Sequence, residues 1–170
     1  MHIAPLQGPR VALTPLAVTD AEVMVEVLAD PELYRFTGDA PPTLAELTAR
    51  YERQVSGPPA DSRTRWLNWI VRYEGRPVGY VQATVQEQPG AELAELAWVI
   101  ATAAQGRGLA AEAAGLMADW IAAQGVPRLV ASIQSGHRAS ERVAERIGLT
   151  LTGVTDEEGE RVWERNLSLV

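Results

Sequence analysis

The chain has 170 residues, enough for one domain spanning 1–170 that buries roughly two thirds of its unfolded surface. With no cysteine and only His2 and His137, it lacks the material for disulfides, thiolate or histidine metal clusters and a cysteine acyl-enzyme, so no metal is expected. A net charge of −7, from 22 acids against 15 bases, disfavours nucleic acid and suits a cationic partner.

That charge is uneven: residues 101–148 hold five arginines and four acids, whereas residues 1–100 hold eight and thirteen. Every one of the 15 bases is arginine. No apolar run reaches the roughly 18–20 residues of a membrane helix. Met1-His2-Ile3-Ala4-Pro5 lacks the basic and apolar regions of a signal peptide, so a cytoplasmic protein without membrane contact is expected.

Taken in order, Arg10 to Thr14 reads as a first strand ended by Pro15, and Asp20 as the cap of a helix with Val23, Val27 and Leu28 inward. Pro31 to Pro42 is a turn-rich loop whose Tyr34 and Phe36 must pack against something. Thr43 and Glu46 have capping-box spacing for a second helix through about Val55. Trp66–Tyr73 and Pro77–Gln86 alternate as strands around Glu74-Gly75, and Glu92–Ile100 is the next strand. A helix follows to Gln124, with Leu109, Ala113, Leu116, Met117, Trp120 and Ile121 on one buried face, stopped by Gly125 and Pro127. Leu129–Ile133 then returns as a parallel strand by a right-handed crossover. Ser135 to Arg138 leads into a helix with Val143 and Ile147 inward, closed by Gly148. Leu149–Val154 and Arg161–Leu169 form a final hairpin.

Between the strand ending at Ile100 and the central helix lies Gln105-Gly106-Arg107-Gly108-Leu109-Ala110. No Ser, Thr, Asp or Asn stands at the cap, so the first helical N–H groups lack a side-chain partner, and two glycines let a ligand approach the main chain. A bare helix N-terminus with Arg107 beside it is suited to a phosphate-bearing ligand. Three glycine-loop patterns compete with a plain strand-to-helix turn. A P-loop needs a terminal Gly-Lys-Ser/Thr, which is missing. The dinucleotide fingerprint would rest its third position on Ala111. The third pattern, Q-x-x-G-x-A, is matched by Gln105, Gly108 and Ala110.

That third pattern is the pyrophosphate loop of the GNAT acyltransferases, which the chain resembles along nearly its whole length. Arg10-Val11-Ala12-Leu13-Thr14-Pro15-Leu16, Pro77-Val78-Gly79-Tyr80-Val81, Gly106 to Ala113 and Ser140 to Leu149 look like the RimJ/RimL-type branch, named for ribosomal-protein N-terminal acetyltransferases. The resemblance implies an α/β (α+β) GNAT fold: a mixed, mostly antiparallel sheet of about seven strands with about four helices. It implies acetyl-CoA as cosubstrate and a primary amine as acceptor, joined directly in a ternary complex, with a homodimer compatible with the family. Cofactor contacts map to Gln105, Gly106, Arg107, Gly108, Leu109 and Ala110 for the pyrophosphate, and to a strand bulge near Val99 and Ile100 for the pantetheine. Where the family carries Asn, this chain has His137, either a neutral substitute or an added acid–base group.

By the same resemblance Glu95 is the candidate base, its alternative being a carboxylate paired to an arginine; Glu92 and Asp156 come behind it. Ser140 matches the serine near the cofactor sulfur, placed to hydrogen-bond or protonate the leaving thiolate; otherwise it caps its helix. Glu112 reads as structural, an acid in the first helical turns. Tyr34 and Phe36 are the expected lining of the acceptor slot, and the five tryptophans the core. A protein α-amine, pKa ~8, is roughly a tenth neutral at pH 7 and needs only a weak base. The resemblance to that branch makes an N-terminal α-amine the favoured acceptor. The alternatives are a small amine (a polyamine, amino sugar or antibiotic) and a non-catalytic acyl-CoA sensor.

Overall fold

A computed structural model describes residues 2–167. In chain order its elements are β1 (Leu6–Gln7), β2 (Val11–Pro15), α1 (Ala21–Val27), α2 (Leu44–Ser56), β3 (Thr64–Tyr73), β4 (Arg76–Gln88) and β5 (Ala91–Ile100). They continue with α3 (Leu109–Ala123), β6 (Arg128–Ile133), α4 (Arg138–Arg146), β7 (Thr150–Thr155) and β8 (Arg161–Asn166). One sheet holds the strands in the order β1-β2-β3-β4-β5-β6-β8-β7. Only β5 and β6 run parallel. The strand added to the expected seven is β1, two residues paired through Leu6↔Leu13 and too short to show alternation. The far end of the expected Arg161–Leu169 strand lies outside the described residues.

Local chemistry explains most boundaries. Glu74 and Gly75 take φ of 50° and 76°, the left-handed pair that lets a two-residue hairpin turn follow the twist of its strands. At α2 the Thr43 hydroxyl accepts the Glu46 N–H at 3.2 Å and the Glu46 carboxylate accepts the Thr43 N–H at 2.8 Å. Asp20 does not cap α1. Its carboxylate accepts the Ala17 N–H at 2.9 Å and pairs with Arg72 at 3.2 Å, bracing the turn against β3. Leu28 is buried as expected, but Val23, also expected inward, is half exposed, and Ala21 and Met24 are buried in its place.

The sheet is covered on both faces. On one, Leu109, Ala113, Met117 and Ile121 of α3 join Val11, Trp69, Val81 and Leu96 in the larger core; Leu116 and Trp120 are half-buried at its margin. On the other, Met24, Leu28, Leu47 and Tyr51 of the α1–α2 layer pack on Ile70.

Two departures from regular pairing place the site. β5 pairs with β6 only through Leu93↔Arg128, Ala94↔Leu129 and Glu95↔Val130, although β5 continues to Ile100 and β6 to Ile133. From Leu96 onward the two strands part, and the sheet opens in its middle. The bulge expected near Val99 and Ile100 is absent, because β5 stays in register with β4 from Ala91 to Ile100. The shift falls one strand earlier: Val71 pairs Gly79 and Arg72 pairs Pro77, leaving Val78 as the extra residue.

Gly79 beside that bulge comes so close to β5 that a Cβ there would collide with the Val99 carbonyl oxygen. Gly79→Ala should therefore cost about 2–3 kcal/mol, read as a lower urea midpoint at unchanged slope. Wild-type stability in this variant would refute the close approach.

Candidate active site

The loop joining β5 to α3 is built to leave main-chain donors unspent. After one 3₁₀ turn at Thr102–Ala104, the Gln105 amide donates to the Ile100 carbonyl at 2.9 Å and ties the loop to the end of β5. Gly106 and Gly108 both take φ of 77°, open to glycine without strain. Gly108 occupies the cap position of α3 and no side chain caps the helix. Among the described residues, the N–H groups of Gly106, Arg107, Gly108, Leu109, Ala110 and Ala111 find no acceptor. Six unspent donors thus line the loop and first turn at the positive end of a fifteen-residue helix.

Three arginines rim that spot. Arg10 donates to the Arg107 carbonyl at 2.8 Å, and a Cβ built on Gly108 would lie 3.5 Å from both Arg10 Nη2 and Arg146 Nη1. Arg146 arrives from the last turn of α4 and has no ion pair among the described residues. Arg107 lies over the Tyr73 ring, 6.0 Å from its centroid. Neither Arg10 nor Arg146 was given a role by the sequence, since their approach depends on β2 and α4 meeting at the loop.

Glu112 holds this corner together. Its carboxylate accepts the Arg10 N–H at 2.7 Å, the Val11 N–H at 3.0 Å and Arg10 Nε at 2.8 Å, clipping β2 to the first turn of α3. Burial pushes its carboxyl up, but these hydrogen bonds and the Arg10 charge outweigh burial and hold it below the usual carboxylate range. Glu112→Leu would strand two backbone donors and should cost about 2–3 kcal/mol at pH 7. Because the folded-state pKa is lowered, this contribution is complete above the ordinary carboxyl range and is lost as pH falls through the lowered value. Urea unfolding of variant and wild type should therefore converge in acid, and a constant gap would contradict the clip.

Across the open sheet, His137 caps α4: its Nδ1 accepts the Ser140 N–H at 3.4 Å. Burial pulls the imidazole below its ordinary pKa, so it is neutral at pH 7. With Nδ1 accepting, the ring proton sits on Nε2, which lies 3.4 Å from Ser140 Oγ and donates to it. The Ser140 hydroxyl proton is thereby free to point elsewhere. Ser140 is not the cap. Phe36 stacks on the His137 ring at 4.1 Å between centroids, bridging the loop before α2 to the start of α4. The Tyr34 hydroxyl donates to the Leu28 carbonyl at 2.9 Å, so it fastens this loop to α1.

Glu95 stands exposed at the last β5–β6 rung, at the mouth of the opening. It forms no ion pair among the described residues, so the arginine-paired alternative is not realised. Strand alternation puts it on one face with Ala97 and Val99. Of the weaker candidates, Glu92 pairs with Arg65, and Asp156 accepts the Glu158 and Glu160 N–H groups at 3.0 and 2.8 Å to shape its own turn. Glu160 enters as a new member: burial, and then Asp156, Glu158 and Glu95 around it, raise its carboxyl above the usual range. Sequence alone does not show it, because the β7–β8 turn must fold back towards β5. Trp69 and Trp163 are core residues as expected, whereas Trp66 is 38% exposed. Among the described residues no three His, Asp or Glu side chains gather as metal ligands, and no helix is long and apolar enough to cross a membrane.

The acetyltransferase (GNAT) domain matches residues 10–150. No curated protein matches the sequence. Among solved structures, a GNAT-family acetyltransferase from Bacillus anthracis superposes with a TM-score of 0.78 at 18% identity, covering 96% of this chain and 98% of that one. The apo form of RimL, a ribosomal L7/L12 α-N-protein acetyltransferase, gives 0.79 at 13% identity over 98% and 96% of the two chains. The aminoglycoside acetyltransferase AAC(6′)-Ib in complex with coenzyme A gives 0.75 at 20% identity over 92% and 94%. At such identities the likeness carries the fold. The domain match itself runs from β2 to the first residue of β7 and takes in the uncapped helix, the parted strands and α4; on that ground the chain belongs to the GNAT family of acetyltransferases, enzymes that act with acetyl-CoA on amines.

Proposed function

We propose that this chain acetylates the α-amine of a peptide or protein N-terminus, in the manner of the RimJ/RimL branch, by direct attack within a ternary complex. The observation that carries this reading is the set of six unspent N–H groups and three arginines beside an opening in the sheet. The Gln105–Ala110 loop takes the donor's diphosphate, and the free edge of β5 through Val99 and Ile100 lies along its pantetheine arm. Acetyl-CoA supplies the activated acetyl group as a thioester.

The chain's own residues supply proton handling and position. Glu95, with Glu160 near it, takes the ammonium proton directly or through one water. Ser140, oriented by the neutral His137, offers its hydroxyl hydrogen to the departing sulfur. His137 thus serves as the neutral substitute for the family's asparagine. Phe36, stacked on His137, places the acceptor loop over the same opening. An exposed carboxylate on an open face suits an amine already partly neutral, which favours the α-amine over lysine.

A second reading, a small polycationic amine as acceptor, is favoured by the acidic group of Glu95, Asp156, Glu158 and Glu160. Free-thiol release from acetyl-CoA, followed with a panel of N-terminal peptides, polyamines and aminoglycosides, tests both. Turnover confined to peptides supports the first and turnover confined to small amines the second. With no turnover on any amine, the enzymatic reading falls.

A further inference from the structure

On the face covered by α1 and α2, a cavity of about 160 Å³ opens between α2 and strands β3 and β4. Six polar side chains from three elements converge on it: Arg50, Tyr51 and Gln54 of α2, Asn68 of β3, and Tyr80 and Gln82 of β4. Tyr51 is 4% exposed, and its buried hydroxyl has no hydrogen-bond partner among the described residues. A phenol left unpaired in a core costs stability, so a ligand that completes it gains correspondingly. Burial raises the pKa of Tyr51, and that of Tyr80 to about 12, which keeps both hydroxyls as donors at neutral pH.

The chemistry of the wall is unbalanced. Arg50 only donates, the phenols and carboxamides can donate as well as accept, and no carboxylate lines the cavity, so the wall carries an excess of donors. Asp20, close to Tyr51, is held by Arg72 at 3.2 Å; Asp39, near Tyr34 and Tyr80, lies on the loop before α2. The register sets the reach. Gln82 is opposite Ala97 and Tyr80 opposite Val99, so the cavity adjoins the part of β5 that borders the opening, one strand spacing or roughly 5 Å away.

We infer that this cavity is the acceptor's specificity pocket and receives an oxygen-bearing side chain, hydroxyl or carboxylate, from the residue that carries the reacting amine. The inference rests on the peptide reading above. The pocket discriminates because a site with an unpaired buried donor rejects a ligand lacking the matching oxygen.

Titration calorimetry on the protein saturated with coenzyme A, which cannot transfer acetyl, measures binding apart from turnover. The probes are two tetrapeptides that differ only in beginning with Thr or Val, which have nearly the same shape. Wild type should bind the Thr peptide about tenfold more tightly. Tyr51→Phe should reduce that preference to within about twofold, with a melting temperature no lower than that of wild type. Gln82→Leu provides an independent variant on a different element and should also shrink the preference. Equal affinity in wild type, an undiminished preference in both variants, or no binding of either peptide overturns the pocket. Discrimination without acetylation under acetyl-CoA would instead leave the pocket standing and remove the peptide-transfer reading.

Discussion

Reversing two charges at once, Arg107→Glu with Arg146→Glu, should weaken acetyl-CoA binding by roughly two to three orders of magnitude. A charge-assisted hydrogen bond is worth about 1.5–3 kcal/mol, and each reversal also adds a repulsive carboxylate beside a diphosphate. Arg146 should account for the larger part. Its guanidinium approaches Gly108 and is engaged by no acid among the described residues, whereas Arg107 rests over Tyr73. Arg107→Glu alone is expected to cost severalfold. Arg10 is a poor choice for this test, because it is also bonded to Glu112 and its loss would disturb β2. The readout is calorimetric affinity for acetyl-CoA with kcat measured at saturating donor. A large rise in Kd at nearly constant kcat is expected, and salt should erode wild-type affinity more than that of the variant. Unchanged affinity in the double variant would remove the arginine rim from the donor site.

Glu95→Gln should lower kcat on the order of a hundredfold with little change in donor affinity, the usual scale for loss of a general base. The pH dependence separates Glu95 from its neighbour. Glu160 has a raised pKa, partly because Glu95 carries charge nearby. Glu160 can assist Glu95 only once it is ionised, so part of the activity should climb with pH through that raised value. Removing the Glu95 charge lowers the pKa of Glu160; any residual activity that depends on Glu160 should then rise at lower pH than in wild type. Glu160→Gln, which keeps that position neutral at every pH, should hold the rate near the wild-type low-pH level and flatten that limb. If Glu95→Gln leaves both the rate and the pH profile unaltered, Glu95 is not the base.

The parts of this site legible in the sequence are those built from neighbours along the chain. Gln105 to Ala110 could be read because the cap, the two glycines and the helix they open occupy a few consecutive residues. The capping box at Thr43 and Glu46 and the Glu74-Gly75 turn were readable for the same reason. What could not be read is convergence. Glu112 looked like an ordinary acid in a first helical turn, yet it bonds backbone donors about a hundred positions away at Arg10 and Val11. Arg146, Glu160 and Tyr51 reach their neighbours only through the meeting of separate elements, and no spacing rule reports that. His137 was visible as a substitution, but its stacking with Phe36 was not. The bulge went to the wrong strand because family pattern supplied it, and the Gly79 contact places the irregularity in β4 instead.

The stretch of β5 from Leu96 to Ile100 is an edge hidden inside a sheet. An ordinary rim strand attracts other chains and has to be defended by charge or proline. Here β6 stands across the gap, so a slender extended guest fits where a foreign strand with its own neighbours does not. A donor lying there would act as a removable seam, filling the gap between β5 and β6 beyond their three shared rungs.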